Sequence, residues 1–352
     1  MTAIFRALQD ARILITGHTG FKGTWLSRLL NHLGAYAYGI SLAPEQNSLF
    51  SRTNGVQFVE SYFEDITEFG KLADTLKAIS PDLIIHMAAQ PLVRRSYKEP
   101  IMTFRTNVLG TAHVLELVRS INTAKGVLVV TSDKVYRNLE EGKAFSEEDA
   151  LGGSDPYSAS KSATEMVVTA WREIFNLESA KIIVSARAGN IIGGGDYSED
   201  RLLPDLLRSF RQGNPAVIRN PQAVRPWQHV LDPLWGYLII ASRMLTELPV
   251  SNAYNFGPLK QKILNVGQVS DLACQLWGPN ASWTTESSKM NLPESKLLFL
   301  NSTKARQELD WLPLISQSEA VEWTIRWEKE VDRSSAIDAM DNQISEYLEL
   351  IS

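Results

Sequence analysis

The stretch Ile13-Leu14-Ile15-Thr16-Gly17-His18-Thr19-Gly20-Phe21-Lys22-Gly23-Thr24-Trp25-Leu26 decides the fold. An apolar, β-prone run meets three glycines, and a helix-compatible stretch follows. That order predicts a buried strand, a tight turn, and a helix whose first amide N–H groups are free. Free donors and the positive end of the helix dipole suit a pyrophosphate. Gly17 would allow the turn, Gly20 would let a cofactor approach the backbone, and Gly23 would let helix and strand pack closely. Thr19, Phe21 and Lys22 join them as candidate cofactor contacts. The spacing is G-x-x-G-x-x-G, unlike the G-x-G-x-x-G of ordinary dehydrogenases. A glycine-rich turn with no ligand is the plain alternative.

Working outward, strand-like and helix-like segments alternate up to about Ile121. Strands are expected at 13–16, 35–40, 57–60, 83–88 and 126–131. Helices are expected at 23–33, 67–79 (stopped before Pro81) and 100–120. Alternation of this kind predicts an α/β fold of Rossmann type, with a doubly wound parallel sheet. The ligands of such sheets lie at the carboxyl ends of the strands.

Totals limit the remaining classes. The 352 residues are 44% hydrophobic and 21% charged, enough for one large or two modest domains. Thirty-five Lys+Arg against 40 Asp+Glu leave a net charge of −5. A mildly acidic chain has no electrostatic reason to favour nucleic acid or an anionic membrane. Cys274 is the single cysteine, so an intramolecular disulfide is impossible and a reducing cytoplasm is the expected setting. Arg6, Asp10 and Arg12 interrupt the N-terminus, unlike a secretory signal, and no uninterrupted apolar run approaches the ~18 residues of a membrane span. His18, His32, His86, His113 and His229 are scattered, so no metal site is expected.

The strand ends carry the chemistry. The second ends in Tyr38-Gly39-Ile40-Ser41-Leu42, without the acid that usually holds the ribose of NAD, which leaves both NAD and NADP open. Asp65-Ile66, after the third strand, could hold an adenine edge, and Asp65 could equally cap a helix. His86-Met87-Ala88-Ala89-Gln90 offers small residues for close passage of a cofactor. The next strand ends in Thr131-Ser132-Asp133-Lys134-Val135-Tyr136, a polar cluster after an apolar run. Asp155-Pro156-Tyr157-Ser158-Ala159-Ser160-Lys161 then supplies Y-x-x-x-K at a helix start. Residues i and i+4 share a helix face, and an ammonium there favours a phenolate. Tyr157 is thereby expected to have a lowered pKa and to act as base toward an alcohol.

The glycine turn with Ser132, Tyr157 and Lys161 resembles the extended short-chain dehydrogenase/reductase superfamily of nucleotide-sugar enzymes. The resemblance continues through Arg187-Ala188-Gly189-Asn190-Ile191-Ile192-Gly193-Gly194-Gly195-Asp196 and covers nearly the whole chain. More narrowly, 18–23, 86–94, 131–134 and Arg225-Pro226-Trp227-Gln228-His229-Val230 look like bacterial CDP-glucose 4,6-dehydratases. Asp133-Lys134 is the most telling pair, since relatives acting on dTDP- and GDP-sugars carry Asp-Glu there.

The resemblance implies an NAD-dependent hydro-lyase that moves hydride internally from C4 to C6 of a nucleotide hexose and expels water. It implies catalytic roles for Ser132, Tyr157 and Lys161, with Asp133 as acid at O6. Lys134 would serve the C5 proton or stabilise an enolate. Ala88, Ala89, Gln90 and Asn107 would join the cofactor site. Gln90, Arg94, Asn190, Arg201, Arg219, Arg225 and His229 would face the substrate, although a packing role for His229 is also open. The Gly193–Gly195 stretch followed by Asp200-Arg201 would be a flexible loop over the sugar nucleotide, 181–186 would close the main sheet, and Tyr254-Asn255-Phe256-Gly257-Pro258 would form the last strand and turn. The dinucleotide domain would take 1–190 with 226–258, and a smaller substrate lobe 191–225 with 259–352. Two helices per subunit, 100–120 and 157–175, would pair in a homodimer or homotetramer. A 4-epimerase or 4-reductase, another sugar nucleotide, and a non-catalytic sensor of the same fold are the alternatives. The stretch 137–145 is shorter than in the dehydratases it resembles and lacks their Trp, which leaves the hexose open.

Overall fold

The computed structural model describes residues 2–139, 142–178, 181–259, 263–285 and 298–351. Glu140 and Glu141, in the short stretch noted above, lie outside the described residues. Seven parallel strands form the central sheet: β1 (Arg12–Thr16), β2 (Tyr36–Ser41), β3 (Glu60–Phe63), β4 (Leu83–His86), β5 (Gly126–Val130), β6 (Ile182–Ala188) and β7 (Ala253–Phe256). Their order is β7-β6-β5-β4-β1-β2-β3, so the direction of winding reverses between β1 and β4. A ligand crevice opens at such a reversal. β4 and β5 are buried along their whole length, as strands covered by helices on both faces must be.

Several expectations shift. The third strand falls at Glu60–Phe63, because Gly55–Gln57 forms a 3-10 turn entered through Asn54 in the left-handed region. β6 is the penultimate strand, and β7 closes the sheet beyond it. The helix expected over 100–120 runs as Pro100–Phe104, a π-helical turn at Arg105–Leu109, and Gly110–Arg119. Such turns recur at functional positions, and this one carries Asn107.

Helix Leu231–Leu245 is buried along most of its length against the sheet. Asp232, near its start, accepts hydrogen bonds from the backbone N–H of Leu314 (2.9 Å) and Ile315 (3.3 Å) and from the Tyr347 hydroxyl (3.0 Å). One carboxylate thus ties two segments of the C-terminal region to the sheet. The last helix, Ala336–Ile351, packs on helix Phe21–His32, where Asp341 accepts from Arg28 (2.6 Å) and lies 3.0 Å from His32 Nε2.

The Gly193–Gly195 end of the expected loop is a packed anchor, whereas Glu199 and Asp200 further along are exposed. All three glycines are buried. Trp25 Nε1 donates to Gly194 O (3.0 Å), and Glu328 accepts from Gly195 N (3.2 Å). No helix among the described residues is long and apolar enough to cross a membrane.

Candidate active site

The site is assembled at the carboxyl edge of the sheet. β1 and β4 approach so closely there that a Cβ on Gly17, which sits at φ +81°, would lie 2.8 Å from Ala88 N. Thr16 Oγ1 accepts from Met87 N and Ala88 N (3.1 Å each) and lies 2.6 Å from His86 Nδ1. Its one proton therefore goes to Nδ1, and Nε2–H of His86 faces Thr111 Oγ1 at 2.9 Å. Burial, with the charge of Lys161, lowers the pKa of His86 to about 3, so it is neutral and structural.

The turn after β1 fits a dinucleotide. Helix Phe21–His32 starts at Gly20 with no side chain capping its N-terminus. A Cβ on Gly23 would strike Gly17 O at 2.2 Å, whereas one on Gly20 would meet only Gly17 O, at 3.4 Å. Gly23 therefore serves helix–strand packing, and the space beside Gly20 is open. Thr19 Oγ1 lies 2.7 Å from Ser41 Oγ at the end of β2. Asp65 Oδ1 accepts from Thr67 N (2.8 Å), forming a turn of its own, while the helix beyond is capped at Glu68. Ile66 is buried in the core.

Lys22 does more than line this turn. Its side chain is within electrostatic range of Lys161, Arg201 and Asp133, and burial followed by the two cations lowers its pKa to about 7. Sequence reading assigned it to the cofactor loop. Only the fold brings its amine within electrostatic range of Lys161 and Asp133.

Ser132, Asp133 and Lys134 open a 3-10 turn directly after β5. Ser132 Oγ donates to Asp133 Oδ1 (2.9 Å) and accepts from Lys134 N (3.2 Å). Asp133 is 2% exposed, and its Oδ2 has no hydrogen-bond partner among the described residues. Gly189 borders that oxygen: a Cβ there would be 3.4 Å from it. Lys134 is half-buried, with Nζ 3.8 Å from Asp133 Oδ1.

Tyr157 and Lys161 lie on helix Pro156–Glu178, one turn apart and both buried. Lys161 Nζ donates to Val130 O (3.4 Å), which ties this helix to the end of β5. The expected lowering of the Tyr157 pKa is not found. Burial raises it to about 12, against the pull of a hydrogen bond with Ser132. Burial likewise lowers Lys161 to about 8, with Glu165 opposing.

Two predicted ligand residues lie elsewhere. Asn107 is 1% exposed, and its amide staples the 90 loop to the catalytic helix, accepting from Gln90 N (2.7 Å) and donating to Gln90 O (3.2 Å) and Ser160 Oγ (2.9 Å). His229 is fully buried between Trp25 and Trp323, with ring centroids at 6.2 and 5.2 Å. It packs the core and does not reach a substrate. The Gln90 side chain closes its own turn through Leu92 and Thr103.

The arginines line the approach. Arg94 and Arg219 both reach Asp200 Oδ1, at 3.2 and 3.4 Å, and Arg201 pairs with Asp196 at 2.9 Å. Arg225 donates to Val224 O, and its carbonyl accepts from Gln317. Asn190 holds Gln228 through its backbone (3.0 Å).

An open helix terminus beside a glycine turn, with Ser, Tyr and Lys gathered at the same sheet edge, defines an extended short-chain dehydrogenase/reductase. The family model described as GDP-mannose 4,6 dehydratase matches residues 14–324. The chain belongs to that family. It is 42% identical to the CDP-glucose 4,6-dehydratase of Salmonella typhimurium over 349 residues, covering 97% of both chains. It is 27% identical to the dTDP-glucose 4,6-dehydratase of Haemophilus influenzae, covering 90% of this chain and 97% of that one. Among solved structures, dTDP-glucose 4,6-dehydratase from Bacillus anthracis in complex with NAD shares the fold at a TM-score of 0.75 and 23% identity, covering 91% of this chain and 97% of that one. The epimerase Mth375 of Methanothermobacter thermautotrophicus does so at 0.81 and 23%, covering 94% and 95%.

Proposed function

We propose that the chain is an NAD-dependent 4,6-dehydratase that converts CDP-D-glucose to CDP-4-keto-6-deoxy-D-glucose and water. The observation that carries this reading is the buried, unpartnered Oδ2 of Asp133 beside Lys134, an acid and an amine adjoining the Ser132–Tyr157–Lys161 group. An oxidoreductase or epimerase working at C4 alone has no use for that pair. The similarity to the Salmonella enzyme supports the same substrate.

NAD⁺, bound at the glycine turn, would supply the hydride acceptor at C4 and the donor at C6, so that it ends as it began. Tyr157, ionised against its burial with the help of the Lys161 ammonium, takes the proton of the C4 hydroxyl, and Ser132 turns its own proton from Asp133 to the same oxygen. The new 4-ketone acidifies C5–H, and Lys134 takes that proton or stabilises the enolate charge. Asp133 Oδ2 protonates the C6 hydroxyl, which leaves as water. Arg94, Arg201, Arg219 and Arg225 would hold the diphosphate, for which a guanidinium fork is suited, and Asn190 would contact a phosphate or sugar oxygen.

A homodimer or homotetramer is part of this reading. The helical pair expected to associate carries exposed apolar residues, Ile101, Met102 and Leu109 on one side and Met166 on the other. Light scattering should give the mass of two or four chains, and Ile101→Glu with Met166→Glu should reduce it to one. The cytoplasm is the setting this substrate and cofactor imply.

The deciding experiment is incubation with CDP-glucose and NAD⁺, followed by mass analysis of the sugar nucleotide. Loss of one water without net NADH is expected. An unchanged mass overturns the reading.

A further inference from the structure

Tyr157, Lys161 and Glu165 are spaced four apart on helix Pro156–Glu178, so all three lie along one face. The first two belong to the proposed chemistry. Glu165 does not reach the cleft: it is 2% exposed and lies beneath them. Arg187, on β6, grips both of its oxygens, Nε to Oε1 at 2.9 Å and Nη2 to Oε2 at 2.8 Å. The Thr131 hydroxyl donates to Oε1 at 2.5 Å. Thr131 immediately precedes Ser132-Asp133-Lys134, so one carboxylate touches the strand end that carries the acid–base pair. Arg187 continues outward, donating to the Tyr136 hydroxyl (2.9 Å) and to Glu147 O (3.0 Å). Tyr136 in turn donates to Asn255 Oδ1 on β7 (2.7 Å).

A buried ion pair of this kind is weak evidence for stability, because desolvation cancels much of the attraction. Its placement calls for another account. We propose that Glu165 is a positioning residue for the dehydratase reaction, the counter-charge of Lys161 and the anchor of the Thr131–Lys134 turn. The proposal rests on the function argued above.

Charge bookkeeping around Lys161 supports it. The ionisable groups that face Lys161 are Lys22 from helix Phe21–His32, His86 from β4, and Glu165 from its own helix. His86 is neutral and Lys22 is cationic or neutral, so Glu165 is the anion of that set. Arg187 is paired with that carboxylate, and Arg172 lies further along the same helix. Burial pushes the Glu165 carboxyl up, but the paired Arg187 and the Thr131 hydroxyl outweigh it and hold the group below its ordinary value. It is therefore ionised wherever the enzyme works. Burial alone drives Lys161 toward neutrality and Tyr157 away from phenolate. The carboxylate opposes the first of these and thereby the second.

The test separates positioning from folding. Glu165→Gln removes the charge and strands Arg187, which destabilises the fold. The pair Glu165→Gln with Arg187→Met removes both charges and should recover the thermal midpoint. Two readouts follow: the alkaline limb of kcat/KM for CDP-glucose, and competitive acylation of Lys161 across pH, read by mass spectrometry on the ligand-free chain. Both should move down, by about one pH unit in the single variant and by less in the double, which also removes a cation. Glu165→Asp, which keeps the charge but withdraws it by one methylene, should titrate between the wild type and Glu165→Gln. A double variant, or Glu165→Asp should the double not fold, in which Lys161 titrates exactly as in the wild type would overturn the proposal. The acylation readout does not depend on the reaction, so failure to dehydrate CDP-glucose would be recognised separately.

Discussion

Ser132 donates its hydroxyl to one oxygen of Asp133 at 2.9 Å, and the other has no partner among the described residues. A buried polar atom with nothing to bond costs of order 1–3 kcal/mol, so it persists where a ligand supplies the partner. If that partner is the C6 hydroxyl, Asp133→Asn keeps the shape and the Ser132 contact but cannot deliver the proton. Water loss should fall by about 10²–10⁴-fold. Exchange of the C4 hydride should survive, visible as a transient of reduced cofactor. A variant that still dehydrates at full rate would remove Asp133 from its role.

The three glycines of the opening motif should respond differently to one methyl group. Gly23→Ala drives Cβ into Gly17 O, a backbone atom that has nowhere to go. A loss of roughly 1–3 kcal/mol in unfolding free energy is expected. Gly20 has an extended backbone and open space beside it, so Gly20→Ala should leave stability within about 0.5 kcal/mol. It should nevertheless weaken NAD⁺ binding, measured by fluorescence titration. Equal affinity in Gly20→Ala and wild type would mean that the cofactor does not approach this turn.

That motif was legible because all its causes are local: an apolar run, a turn and a helix start, each within a few residues. Legibility failed where burial or a distant partner decides. β3 slipped by three residues because an edge strand with polar residues, Glu60-Ser61-Tyr62-Phe63, has little periodicity to read. Tyr157 and Lys161 were found from their spacing, but the direction of the Tyr157 shift was misread, since spacing says nothing about desolvation. Asn107 and His229 carry the chemistry of ligand residues, and only the fold turns their polar atoms inward. Glu165 continues the four-residue spacing of Tyr157 and Lys161, but that spacing does not reveal what pairs with it. Its partner Arg187 is supplied by β6, a separate strand of the sheet.

Acid should destabilise the protein through its buried histidines. Burial lowers His18 to about 4 and both His86 and His229 to about 3. Below pH ~6.5 the unfolded chain takes up three protons that the folded chain refuses, so this stability is complete above that pH and is lost as pH falls. Asp232 works in the opposite sense. Burial raises it to about 7, so above pH ~4 the folded chain retains a proton that the unfolded chain releases. Near pH 5 the balance is about two protons in favour of the unfolded state, or about 2.7 kcal/mol per pH unit. Urea midpoints between pH 5 and 6 should rise steeply with pH, and His229→Gln should remove about one proton from the slope. A flat profile would show that these side chains are protonated in the folded protein.

Arg94 and Arg219 arrive from different segments yet share a single oxygen of Asp200. All three side chains are partly exposed, so each pair is worth about 0–1 kcal/mol and is readily exchanged. A diphosphate offers both guanidiniums stronger, bidentate contacts. If the two arginines bind the nucleotide, Asp200 competes with the substrate for them. Asp200→Asn removes the competing charge, and Asn tolerates the left-handed backbone (φ +58°) found there. The KM for CDP-glucose should then fall by up to about five-fold with kcat unchanged. Arg219→Met should raise KM instead. A higher KM in Asp200→Asn would mean that the carboxylate holds the arginines in the orientation the substrate requires, and that the contact is part of the bound state.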